Sequence, residues 1–289
     1  MKKGRIFLYF LIVGSFFFYN FYFRPIEGNI LITDEYKNSS EYINALYKSD
    51  EYFKKHLLSE DSYYMYDEII KTSLESKIDV SIKCKVSDCS NVFYKAIEAL
   101  YLDHPELISF YGTGAYTVKN NSINYTNPEN LDRIRAYLGT KRIEREMENI
   151  RKDTKDMNEK EKIIYVYKYV ASHNYDKAFM FSKSNQSAYS FFSRGSSVCA
   201  GFAKASQIIF QNIGINSLLV LSTSHMWNYV EYEGKYYVFD ATMGTAFYQD
   251  SPQFYDGLGK TTIDSNYGLF TELYPPIETS TTLKQIFNL

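Results

Sequence analysis

Four histidines and three cysteines leave this 289-residue chain little with which to build a metal centre. His56, His104, His173 and His225 are scattered along the sequence, and no His-x-x-x-His pair, EF-hand loop or glycine-rich phosphate loop occurs. Cys84 and Cys89 form a Cys-x4-Cys pair without the second pair that a zinc site needs. No cofactor is expected. A strong charge of either sign is missing too. The 32 Lys and Arg against 34 Asp and Glu give a net charge of −2, which argues against a nucleic-acid partner. The 29 tyrosines are spread along the chain, and we read them as compositional bias, not as a stacking platform.

One long apolar run is present, at the N-terminus. Met1-Lys2-Lys3-Gly4-Arg5 is basic, and Ile6 to Phe23 is almost uninterrupted apolar and aromatic sequence. About eighteen such residues just cross a bilayer core of roughly 30 Å. Phe16 to Phe23 is bulky throughout and no small-x-small cleavage site follows, so residues 1–30 are expected to be an uncleaved signal anchor. Lys2, Lys3 and Arg5 should remain in the cytoplasm and place the body outside, with Tyr19, Tyr22 and Arg24 at the outer interface. The expected location is the cell membrane, single-pass, with the body extracytoplasmic.

Beyond the anchor, residues 31–152 are expected to be mostly helical. Ser39-Ser40-Glu41 opens one helical pattern. Ser90 is placed as the cap of another that carries Val92, Phe93, Ala96, Ile97 and Leu100 on one side. Ala115–Val118 and Ile123–Tyr125 predict a short hairpin. Residues 129–157 predict a charged helix with solvated i,i+4 pairs, and Asn158–Ser172 an amphipathic one. The boundary is placed near Lys152–Met157, leaving 153–289 as a core with a loop-rich tail after Gly244 that is expected to cover a groove. Cys84 and Cys89 are either a small disulfide loop or two unrelated thiols, and in both cases Cys199 is left over.

Cys199 carries the chemistry. From Gly201 to Ile213 the residues Phe202, Ala205, Ile208, Ile209 and Ile213 recur at helical spacing. Ser196 and Ser197 are natural N-caps upstream, and Gly214 is a natural stop. Cys199 thus falls at or just before the first turn, where free amides and the helix dipole favour the thiolate. Residues 225–232 and 235–242 flank Glu233-Gly234, a good two-residue hairpin turn. That turn pairs Tyr232 with Lys235 and sets Trp227 opposite Asp240. His225 and Asp240 become diagonal neighbours on one face, about 7–8 Å apart along the backbone and able to touch. A slip of one residue would separate them. A cysteine, a histidine or an aspartate each has a plainer role in isolation, as core filler, strand end or turn former. Together they form an activated nucleophile with an oriented base.

The segments Val198-Cys199-Ala200-Gly201-Phe202-Ala203, His225-Met226-Trp227-Asn228 and Tyr236-Tyr237-Val238-Phe239-Asp240-Ala241-Thr242 resemble the nucleophile, His-x-Trp-Asn and Asp-x-Thr motifs of the bacterial transglutaminase-like superfamily, which has a papain-like fold. His173-Asn174-Tyr175-Asp176 is similar to the Tyr-Asp segment ahead of that family's core, and Leu102-Asp103-His104-Pro105-Glu106-Leu107 to an upstream Asp-x-Pro-Glu-Leu element. The strong likeness covers about residues 160–245. Two departures are the short interval from Cys199 to His225 and Met226 in place of a small residue. The resemblance implies an α+β fold, with a nucleophile helix on an antiparallel sheet, and the catalytic set Cys199, His225 and Asp240.

Cys199 would attack an amide carbonyl of a protein or peptide, His225 would move the proton, and Asp240 would orient His225. The acyl group then passes to an amine, as in a transglutaminase, or to water, as in a protease or amidase. The alternative class is a non-catalytic binding or scaffold module that keeps the fold. The Cys199 amide is the natural first oxyanion donor. Gln186 is a candidate for the second, and Trp227 is expected to pack against the site.

Overall fold

A computed structural model describes residues 50–74, 79–105, 116–126, 131–178, 183–222, 224–260 and 274–289. The expected anchor and the Ser39–Glu41 helix start lie outside them. Helices and small sheets alternate unevenly along the chain, giving an α+β architecture. Among the described residues no helix is long and apolar enough to cross a membrane.

The first layer is built from α1 (Tyr52–Lys55), α2 (Glu60–Leu74), β1 (Asp79–Lys83), α3 (Cys89–Asp103), β2 (Tyr116–Lys119) and β3 (Ser122–Thr126). The hairpin forms where the sequence places it, around Asn120-Asn121. Both turn residues have positive φ, which asparagine tolerates better than most. β1 pairs with the far side of β3, a strand not anticipated in a region expected to be mostly helical. Its signal is short: Val80 and Ile82 point inward, Ser81 and Lys83 outward. α3 is capped by Asp88, whose carboxylate accepts from the Asn91 amide, and not by Ser90. Cys84 and Cys89 are joined in a disulfide that ties the end of β1 to the start of α3.

α4 (Leu131–Thr154) and α5 (Glu159–Ala171) follow. Ile143, Met147 and Ile150 bury a stripe of the otherwise charged α4. Asn158 and Glu161 start α5 with a reciprocal capping box, each side chain bonding the other's amide at 2.9 Å. A two-residue strand β4 (Asn174–Tyr175) and a short helix α6 (Ala188–Arg194) lead to β5 (Ser196–Ser197), which runs parallel to β4.

The long helix α7 (Cys199–Asn212) comes next, with Ile213 and the left-handed Gly214 ending it. β6 (Ser217–Leu221), β7 (Met226–Tyr232) and β8 (Lys235–Phe239) form an antiparallel sheet in the order 6-7-8. β7 is buried along most of its length and its residues alternate in use. Trp227 and Tyr229 join the apolar cluster of Phe53, Phe93 and Leu100, while Val230 joins Phe202, Ile209 and Phe239. The strand thus contributes to both apolar clusters. Two 3-10 turns (Ala241–Ala246 and Pro252–Leu258) and a terminal helix α8 (Leu283–Phe287) complete the chain. The tail is expected to be loops over a groove. Its described part is mostly turns and loops, with residues 261–273 outside it, and the short α8 buries Leu283 and Phe287 in the α5 cluster while Ile277 bridges to Tyr236 on β8.

Candidate active site

Cys199 is the first residue of α7, half-buried and free of any disulfide. The serines before it do not cap the helix. Val198 occupies the cap position without a side-chain bond, because Ser197 is committed elsewhere. The Ser197 hydroxyl bonds the Asn185 carbonyl at 2.6 Å and the Ser190 hydroxyl at 2.7 Å, and its backbone pairs with β4. The amides of the first turn of α7 are therefore left for other acceptors near the thiol.

Gly201 lets this segment pack tightly. A Cβ there would overlap the Ser197 side chain and stand 2.9 Å from the Ser187 carbonyl oxygen. α7 is buried on all sides from Ala200 to Phe210, and several of its polar residues reach partners on the helix itself or in the first layer. Ser206 bonds the Phe202 carbonyl, Gln207 donates to the Leu102 carbonyl at 3.1 Å, and the Lys204 ammonium lies 4.1 Å from the centre of the Tyr101 ring. Asn228 on β7 donates to the Ala203 carbonyl at 3.0 Å, which fixes strand and nucleophile helix together.

The hairpin register is the one the Glu233-Gly234 turn dictates. Tyr232 faces Lys235 and Asn228 faces Phe239, with positive φ at both turn residues. His225, just ahead of β7, meets Asp240, just past β8, with Nε2 and Oδ2 2.8 Å apart. Asp240 is 3% exposed, and His225 keeps about a quarter of its side chain open to solvent. The other Asp240 oxygen accepts the Thr242 amide at 3.1 Å and the Thr242 hydroxyl. Its backbone amide donates to the Gly257 carbonyl. A Cβ at Gly257 would collide with the Asp240 carbonyl, and the Gly257 amide in turn bonds the Tyr167 hydroxyl. Ser222 holds the histidine: its hydroxyl accepts from the His225 amide at 3.0 Å and its own amide bonds the His225 carbonyl. The Trp227 indole stacks on the imidazole, centroids 5.8 Å apart and planes 20° from parallel. Ser222 and Gly257 left no trace in the local sequence pattern, because each acts across a fold-dependent contact.

The Cys199 thiol and the His225 ring line the same cleft and bear on each other's titration. Since Nε2 bonds Asp240, Nδ1 is the ring nitrogen left for the thiol. Burial pushes the Cys199 thiol up, but His225 outweighs it by hydrogen bond and charge, with the Met226 and Ala200 amides adding to the pull, and the thiol ends below its ordinary value. Burial likewise pushes His225 down, and the Asp240 carboxylate and Cys199 together overcome this and raise it to about 10. The arrangement favours a thiolate–imidazolium pair over two neutral groups.

No protein-family model matches the chain. No curated protein matches it either. Among solved structures it is similar to one described as the crystal structure of a TGase, with 17% identity and a TM-score of 0.33 over 57% of this chain and 50% of that one. The chain spans about half the length of that structure's own chain. The site is therefore read from its own geometry.

Cys199 and His225 open onto a cleft of about 300 Å³. Tyr101 on α3 lines one side, so the first layer contributes a wall to it. Tyr175, Gln186, Leu221, Ser224 and Met226 line the rest. Gln186 is thus placed at the cleft as a candidate donor. None of the described residues after Asp240 lines it. Among the described residues no group of three or more His, Cys, Asp and Glu is arranged to hold a metal ion.

Proposed function

We propose that this chain is a cysteine acyl-transfer enzyme of transglutaminase-like type, with Cys199 as nucleophile, His225 as general base and acid, and Asp240 as the group that orients His225. One observation carries the proposal: a thiol at a helix N-terminus and an imidazole open onto one cleft, and a buried carboxylate bonds the imidazole from behind. A structural cysteine needs neither an adjacent histidine nor an opening.

In the proposed reaction the thiolate attacks an amide carbonyl of a protein or peptide, and the imidazolium gives its proton to the departing amine. A thioester on Cys199 results. An incoming amine or water, deprotonated by His225, then releases the acyl group. Residues 1–30 would anchor the enzyme in the cell membrane and hold this cleft on the outer side, where its substrates would be cell-surface proteins or peptides.

Incubating the full-length chain with a labelled primary amine and protein donors tests the reaction. Label incorporation lost in Cys199→Ala supports cross-linking, and cleavage products with the same dependence support hydrolysis. Full biological effect retained by Cys199→Ala would favour the binding or scaffold alternative.

A further inference from the structure

When a thiolate adds to a carbonyl, the C–S bond forms and the π pair moves onto oxygen. That oxyanion needs donors already in place. The Cys199 amide, at the first position of α7, is one. The cleft offers Tyr175 beside it, held by a strand pairing with its hydrogen bonds and by packing of its ring. β4 pairs Tyr175 with Ser197, two residues before the nucleophile. The flanking backbone is fixed by Asp176 donating to the Ser197 carbonyl at 2.8 Å and Asn174 to the Gly195 carbonyl at 3.1 Å. The ring rests against Phe202 of α7, centroids 5.9 Å apart. The Tyr175 side chain lines the same cleft as Cys199 and His225.

We propose that the Tyr175 hydroxyl is the second oxyanion donor, a role that rests on the acyl-transfer reading of the site. In the resting protein Tyr175 lines the cleft beside Cys199, where the substrate oxygen has to go. The entering carbonyl takes that place, and the phenol proton turns to the oxygen as charge develops on it. When the tetrahedral centre collapses, the electron pair returns to carbon. The leaving group departs, as an amine protonated by His225 or as a stable anion, and the phenol keeps its proton throughout. Burial, followed by the nearby charge of Cys199, raises the phenol above its ordinary value, so it remains a donor where the thiol is ionised.

Two reactions of the same sulfur separate this role from its alternatives. Acetylation of Cys199 by 4-nitrophenyl acetate passes through an oxyanion and releases 4-nitrophenolate. Alkylation by iodoacetamide displaces iodide from a saturated carbon and forms none. In the full-length protein, Tyr175→Phe is expected to slow acetylation by about 10²-fold and to leave alkylation unchanged. Unchanged alkylation also reports that the site has folded. Acetylation that is equal or faster in Tyr175→Phe overturns the assignment, as does a parallel fall in both rates, which would make Tyr175 a partner of the resting thiolate only. Wild-type protein that shows no Cys199-dependent acetylation would remove the acyl-transfer reading itself, a result distinct from all of these.

Discussion

At the scale of single residues, the chemistry depends on two shifts of opposite sign. Cys199 titrates below an ordinary thiol, and His225 titrates at about 10. The reactive form is the ion pair, so kcat/KM for acyl transfer is expected to rise through the Cys199 titration and to fall as pH passes about 10 and the imidazolium loses the proton it owes the leaving group. A rate that instead rises monotonically into alkali would mean that the imidazolium plays no part. Asp240→Asn removes the carboxylate that outweighs burial at His225. Its alkaline limb should therefore move down from about 10, and its rate should fall by up to about 10⁴-fold, as when a triad aspartate loses its charge elsewhere.

At the scale of elements, two close approaches and one buried carboxylate set the supports of the site. Gly201→Ala forces a methyl group into Ser197 and toward the Ser187 carbonyl, and should cost about 1–3 kcal/mol of stability by urea denaturation. Part of that cost should vanish on a Ser197→Ala background, because the two residues share the clash. Asp103 is the last residue of α3, and its carboxylate accepts the Phe53 and Lys54 amides at the start of α1 and the Tyr66 hydroxyl. Burial nevertheless outweighs these bonds and raises it to about 6. A carboxyl raised on folding binds its proton more tightly in the native state, so its contribution is greatest below the unfolded value of about 3.9 and declines as pH climbs through about 6. Wild type should therefore lose stability relative to Asp103→Asn between about pH 4 and 6. A difference that moves the other way would show that the amides, not burial, dominate.

The same elements show why some of this was legible in sequence. The Glu233-Gly234 turn has one favoured geometry, and it carries His225 to Asp240 with no further information. Asn158 and Glu161 announce α5 in the same local way. The mistaken caps have a different origin: Ser197 and Ser90 are good caps in isolation, but a parallel strand pair claims the first and Asp88 precedes the second. Tyr101, Ser222 and Gly257 reach the site only through packing between distant segments, which no local pattern encodes.

For the whole molecule, thiol accounting and topology are linked. Under denaturing conditions without reductant one thiol per chain should react, Cys199, and three after reduction of the Cys84–Cys89 bond. In intact cells a membrane-impermeant thiol reagent should label Cys199 without permeabilisation if the anchor holds the cleft outside. Labelling only after permeabilisation would reverse that orientation. The most direct test of an activated nucleophile is the pH profile of iodoacetamide alkylation at Cys199 in the folded, full-length chain. Its midpoint should lie below the roughly 8.5 of a free thiol and return there in urea. A folded midpoint at or above the free value would contradict the ion pair on which the proposed enzyme depends.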